Sequence, residues 1–182
     1  MKKIYLFILT IVMSTLPLSL QGMEIHNMQL QGSGSVRYMG FIKVYDAHLY
    51  TDPTTLPGEV LSPESSRCLK LNYAVSLTRE NFIEAAEKIL NRQHDPLTIS
   101  KVRPQLDLLH QNYTEVDDGD SYVLCYNGEA QTTRLFRNGI EQVVIPSADF
   151  AAVYFGIWLG EKEPLSDNLR ANLLSGLRGK KS

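Results

Sequence analysis

The sequence predicts an α+β domain built around an antiparallel sheet. Three observations carry that prediction. Strand-like segments follow one another instead of alternating strictly with helices, two Asn-Gly dipeptides sit between the later ones, and three segments place apolar residues on one face at helical spacing. The length of 182 residues, with 43% hydrophobic and 21% charged content, suits one ordinary domain with its own core. No internal repeat or low-complexity linker divides it.

The first 22 residues are set apart from that domain. Met1-Lys2-Lys3 precedes the apolar run Ile4–Met13, and no acidic residue occurs before Glu24. This is the pattern of a secretory signal peptide. The apolar run falls well short of the roughly 20 residues that span a bilayer, and Pro17 follows it, so no stable membrane span is expected after cleavage. Residues 1–22 are therefore read as a signal peptide and 23–182 as the functional domain, periplasmic or secreted. Removing Lys2 and Lys3 and no acid moves the formal charge from −2 to −4. A chain of that charge lacks the cationic footprint that binds phosphate backbones, so nucleic acid is not expected as a partner.

The elements follow in order. Residues 24–31 and 36–50 are rich in β-branched, aromatic and aliphatic types, and Gly32-Ser33-Gly34-Ser35 between them reads as a turn joining two strands. A loop with Pro53, Pro57 and Pro63 leads to a third strand over Cys68–Val75. From Thr78, a plausible N-cap, Phe82, Ile83, Ala85, Ala86, Ile89 and Leu90 share a helix face. His94-Asp95-Pro96 ends that helix. A second runs from about Ile99 to Tyr113, with Pro104 expected in its first turn. Tyr122–Tyr126, Thr132–Phe136 and Ile140–Ile145 read as a three-strand meander turning at Asn127-Gly128 and Asn138-Gly139. Ser147 and Ser166 cap the last two helices, the final one bearing Leu169, Leu173, Leu174 and Leu177.

Few motifs carry chemistry. His26, His48, His94 and His110 are scattered, and Cys68 and Cys125 lack zinc spacing, so neither a metal nor a cofactor is expected. Export would place the two cysteines in an oxidising compartment, where they either pair or remain separate buried thiols. Asp46 and His48, two apart on a strand, share one face, but sheet surface or local pairing explains them better than acid–base catalysis. Asn112-Tyr113-Thr114 matches a glycosylation triplet inside a helix, and Asp117, Asp118 and Asp120 read as turn residues. Arg37 stands out among the apolar neighbours Tyr38, Met39, Phe41 and Ile42. A guanidinium there must reach water or a partner, and an inward one would make a fork for a carboxylate.

Three segments together resemble the chalcone isomerase-like family, in its bacterial secreted branch. They are Gly34-Ser35-Val36-Arg37 running into Lys43–Tyr50, Leu71-x-Tyr73 leading into the helix from Thr78, and Asp149-Phe150 through Tyr154–Gly160 to Pro164-Leu165-Ser166-Asp167. The resemblance implies an open-faced β-sandwich: a curved antiparallel sheet covered on one face by helices, with a ligand cleft between them. It also implies that Arg37, which matches the family's strand arginine, lies in the cleft. In plant isomerases that arginine assists cyclisation of a chalcone, and in fatty-acid-binding members it meets the carboxylate. The tyrosine and asparagine that plant isomerases draw from the first helix have no clear match here.

The function expected is therefore that of an exported, noncatalytic binding protein for a small amphipathic ligand such as a fatty acid. Arg37 would hold the polar head, Tyr45 would add a polar contact, and Phe41, Phe82, Phe150 and Phe155 would line the walls. One rival is an isomerase, an intramolecular lyase acting on an enone or phenolic substrate, with Arg37 and Tyr45 stabilising an oxyanion. Another is an envelope interaction protein presenting Phe155, Trp158 and Leu159 on its surface.

Overall fold

In the computed structural model Ile25 and residues 27–178 are described, so the signal-peptide expectation and His26 lie outside them. Six strands form one sheet in chain order: β1 (Gln29–Tyr38), β2 (Ile42–Thr51), β3 (Arg67–Tyr73), β4 (Ser121–Asn127), β5 (Thr132–Arg137) and β6 (Ile140–Pro146). Each is antiparallel to the next. The helices α1 (Arg79–Gln93), α2 (Pro96–Gln111), α3 (Ala148–Leu159) and α4 (Asp167–Leu173) pack over one face. The α+β class and the open, helix-covered antiparallel sheet are as the sequence predicts.

The strand alternation decides what faces the helices. Tyr45, Ala47 and Leu49 of β2, Leu69, Leu71 and Tyr73 of β3, Tyr122, Leu124 and Tyr126 of β4, and Leu135 of β5 enter the main core. The intervening residues Cys68, Val123, Cys125 and Phe136 form a smaller cluster on the opposite face, covered in part by Ile25, Met28 and Tyr50.

The first turn is not where the glycines suggest. Gly32-Ser33-Gly34-Ser35 lies inside β1, and the chain reverses instead at Met39 (φ 51°) and Gly40 (φ 82°). The reason for Gly32 is close approach. A Cβ there would stand 2.0 Å from the backbone oxygen of Asn172, because the C-terminal segment lies directly on the strand. Gly34 meets the flexible Leu169 side chain instead. The Asn138-Gly139 turn is tight as expected, with both residues at positive φ. The Asn127 turn is a longer loop over 128–131, closed by Asn127 Oδ1 accepting from the Ala130 amide.

Helix starts follow the polar signals. Thr78 caps α1 in a reciprocal box with Asn81. The Asp95 carboxylate accepts from the Leu97 and Thr98 amides, so α2 begins at Pro96, where a missing N–H costs nothing. That earlier start puts Pro104 in the helix interior and not in its first turn. Ser147 caps α3. This helix is apolar all round because it is buried between the sheet and the other helices. Phe155 and Leu159 are buried and Trp158 is only 8% exposed, which removes the exposed interaction surface expected of them.

Cys68 and Cys125 are direct register partners on β3 and β4, and their sulfurs are bonded. The bond closes a segment of 57 residues, which corresponds to about 4 kcal/mol of unfolded-state entropy. Cys68→Ser/Cys125→Ser should therefore unfold at markedly lower urea than the oxidised protein, by about 4 kcal/mol in equilibrium denaturation. Coincident unfolding curves would show that the cluster around the bond holds these strands without it.

Candidate functional site: a tyrosine-lined cavity

A cavity of about 580 Å³ lies between the inner face of the sheet and α1. Alternation on β3, β4 and β5 supplies its leucine floor from Leu69, Leu71, Leu124 and Leu135. The helical stripe of Phe82, Ala86 and Ile89 covers it, and Ile157 and Trp158 of α3 close one side. An irregularity in the β1–β2 pairing skips Val44, and both Val44 and Tyr45 line the cavity. The rim combines Tyr38 and Ile42, at the end of the β1–β2 hairpin, with Asn81, Glu84 and Lys88 from the flank of α1.

Five tyrosines give this apolar space its polarity: Tyr45, Tyr73, Tyr113, Tyr122 and Tyr154. The Tyr45 hydroxyl accepts from Trp158 Nε1 at 2.9 Å, leaving its own proton to donate. Tyr113 and Tyr154 share a 2.6 Å hydroxyl contact. Tyr122 donates to the Thr114 carbonyl and accepts from its amide. Tyr73 packs edge-on against Tyr45, Phe82 and Tyr122, and its hydroxyl has no hydrogen-bond partner among the described residues. Burial pushes the pKa values of Tyr45, Tyr73, Tyr113 and Tyr154 upward. These hydroxyls are therefore neutral donors near neutral pH, suited to hydrogen-bonding a ligand oxygen and unsuited to taking a proton as phenolates.

Of the six residues expected to contact ligand, the structure brings Tyr45 and Phe82 to the cavity. Arg37 is exposed beside it, donating to the Phe41 carbonyl at 3.2 Å. The residues lining the cavity from β1 are its neighbours Val36 and Tyr38, as alternation requires. Phe41 is exposed at the hairpin tip. Phe150 and Phe155 are buried in the core and do not line the cavity, Phe150 stacked on Tyr154 and Phe155 beneath Arg67. The disulfide lies on the other face of the sheet. Asp46 forms no acid–base pair with His48: its carboxylate accepts from Ser35 Oγ at 2.5 Å and Lys43 Nζ at 2.9 Å, and these bonds hold its pKa below the usual carboxylate value. Among the described residues no three His, Cys, Asp or Glu side chains converge as metal ligands would.

Sequence reasoning missed Tyr73, Tyr113, Tyr122 and Tyr154. For Tyr73 and Tyr122 a signal was available, since each continues the inward alternation set by Leu69-x-Leu71 and Leu124.

The sheet, its helical cover and the cleft between them are the features implied by the sequence resemblance, and the profile of the chalcone isomerase-like proteins matches residues 13–175. The chain belongs to the chalcone isomerase-like family. Among solved structures, the crystal structure of a fatty-acid-binding protein from Arabidopsis thaliana is similar to it, with a TM-score of 0.62 over 83% of this chain and 88% of that one. The two are 15% identical, so the likeness is one of fold. No curated protein sequence matches the chain. In this chalcone isomerase-like protein the charged side chains among the cavity-lining residues are Glu84 and Lys88, both exposed at the rim, while the family-matching Arg37 is not part of the lining.

Proposed function

We propose that this protein is an exported, noncatalytic carrier that holds a small amphipathic molecule, such as a fatty acid, in the cavity between sheet and α1. The observation that carries the reading is an apolar space of about 580 Å³ whose inner polar groups are neutral hydroxyls and whose charges are confined to the rim. That volume falls within the range of about 300–1,000 Å³ typical of small-molecule sites. The ligand's chain lies along Leu69, Leu71, Leu124 and Leu135. Its head group meets Lys88 at the rim, with the Tyr45 and Tyr73 hydroxyls as inner donors. Binding is favoured over isomerisation because the arginine that the isomerase reading relies on, Arg37, does not line the cavity, and Lys88 is exposed at the rim, away from the apolar floor. The fatty-acid-binding protein that shares the fold supports the same ligand class. Export is supported by Lys2-Lys3 and the apolar run behind them.

Titration of the purified protein with a long-chain fatty acid is expected to saturate at one ligand per chain, and native mass spectrometry to detect that complex. Ala86→Trp, which places an indole in the cavity, should weaken binding at least tenfold while circular dichroism shows a folded chain. Lys88→Gln should weaken the acid about two- to fivefold, as an exposed ion pair allows, and leave the matching long-chain alcohol unaffected. Absence of saturable binding, or full binding by a folded Ala86→Trp variant, would overturn the reading.

A further inference from the structure

The hairpin joining β1 and β2 ends in Tyr38-Met39-Gly40-Phe41-Ile42. Its four apolar side chains are 61, 71, 70 and 41% exposed in that order. Most other exposed large hydrophobic residues are scattered singly, whereas these four fall within five consecutive residues and are held together by a tight turn. A soluble protein gains nothing by displaying such a cluster unless something covers it.

The cross-strand register orders the hairpin in layers. Met39 and Phe41 form the tip, Tyr38 and Ile42 pair behind them, and Arg37 and Lys43 pair behind those. Successive layers are separated by roughly one residue rise, about 3.3 Å. Apolar groups thus lead and cations follow at a depth of about 5–10 Å, the thickness over which interfacial segments enter a bilayer. Lys43 is partly compensated by Asp46 at 2.9 Å. Arg37 has no ion-pair partner among the described residues, so its charge is available to a headgroup phosphate. The middle layer is shared with the cavity, because Tyr38 and Ile42 are rim residues.

We propose that the β1–β2 hairpin is a membrane-docking finger: Met39 and Phe41 insert at the acyl–headgroup boundary of an anionic lipid surface, Arg37 and Lys43 engage its phosphates, and the cavity mouth is thereby set against the lipid. The docking rests on the hairpin alone. Its use, the passage of a ligand between bilayer and cavity without crossing water, rests on the carrier reading above. The layered cations favour a lipid surface over a protein partner, since a lipid surface supplies acyl chains and phosphates at these two depths.

The test is co-sedimentation with phosphatidylcholine vesicles made with and without phosphatidylglycerol. The protein is expected to bind vesicles containing phosphatidylglycerol. Met39→Asp/Phe41→Asp should reduce that binding at least tenfold while fatty-acid binding in vesicle-free solution is unchanged, because neither residue lines the cavity. Arg37→Gln should cost about fivefold on vesicles with phosphatidylglycerol and little on phosphatidylcholine alone. Failure of the wild-type protein to bind either vesicle, or undiminished binding by the double variant, overturns the proposal. So does a vesicle-free dimer that the double variant dissolves, which would assign the hairpin to a second copy of the chain. Vesicle binding without fatty-acid binding in solution would instead leave the docking finger standing and remove the carrier reading.

Discussion

Arg67→Ala is expected to destabilise the protein by about 3–5 kcal/mol, a large fraction of a domain's stability. Arg67 is 0% exposed, and its guanidinium is sandwiched between the rings of Tyr126 and Phe155 at 4.5 and 4.9 Å. Its Nη1 donates to the carbonyls of Ser62 and Ser65, fastening the loop before β3. Truncation would leave a void between two rings and two carbonyls without their donor. No carboxylate is within ion-pairing distance among the described residues, and burial pushes its pKa down to about 10, so it remains a cation at neutral pH. Arg67→Met should therefore cost far less than Arg67→Ala, because it fills most of the volume and removes a desolvated charge. Urea denaturation of the two variants separates packing from charge. An alanine variant as stable as the wild type would show that Arg67 is not what holds the loop.

The second large effect is expected at Gly32. Gly32→Val puts a branched side chain where even a Cβ would stand 2.0 Å from the Asn172 oxygen and 2.7 Å from that of Leu173. Backbone cannot swing aside as a side chain can, so the end of α4 must leave the sheet. A loss of more than about 4 kcal/mol is expected, the range of severe overpacking and lost tertiary contact. Gly34→Ala provides the internal comparison, since its Cβ would crowd only the terminal methyl of Leu169 at 2.8 Å and meet the Asn172 side chain at ordinary contact distances of 3.5 and 3.6 Å. It should cost about 1–2 kcal/mol. Limited proteolysis adds a second readout: Gly32→Val should be cut within residues 166–178 much faster than Gly34→Ala. Equal stability of the two would refute the assignment of Gly32 to close backbone approach.

These two residues also show where reading the sequence succeeds and where it stops. Strands and helices with a regular period and polar caps were legible, as Thr78, Ser147 and Ser166 illustrate. Gly32 was misread because a glycine chosen for a neighbour distant in sequence looks the same as one chosen for a turn. The family resemblance places Arg37 in the cleft, but the residue and its apolar neighbours belong to an exposed hairpin tip. Phe150 and Phe155 could not be separated from cavity wall because α3 is buried on all sides, so its periodicity carries no direction. The tyrosine cluster draws on β2, β3, β4, α2's end and α3, and a linear pattern does not show that convergence.

The contact between β1 and the last described segment also sets the order in which the molecule can be finished. Gly176 N–H donates to the Gln31 carbonyl at 2.6 Å, and the backbone of Asn172 rests on Gly32. The first strand is thus seated by residues made some 140 positions later. A nascent chain whose residues 172–176 are still in the ribosome can pair β1 with β2 but cannot seat that strand against α4. Chain closure across such a span is slow relative to local hairpins and helices. Until it occurs the sheet has an unsealed margin that a chaperone could recognise and to which a stray strand could add.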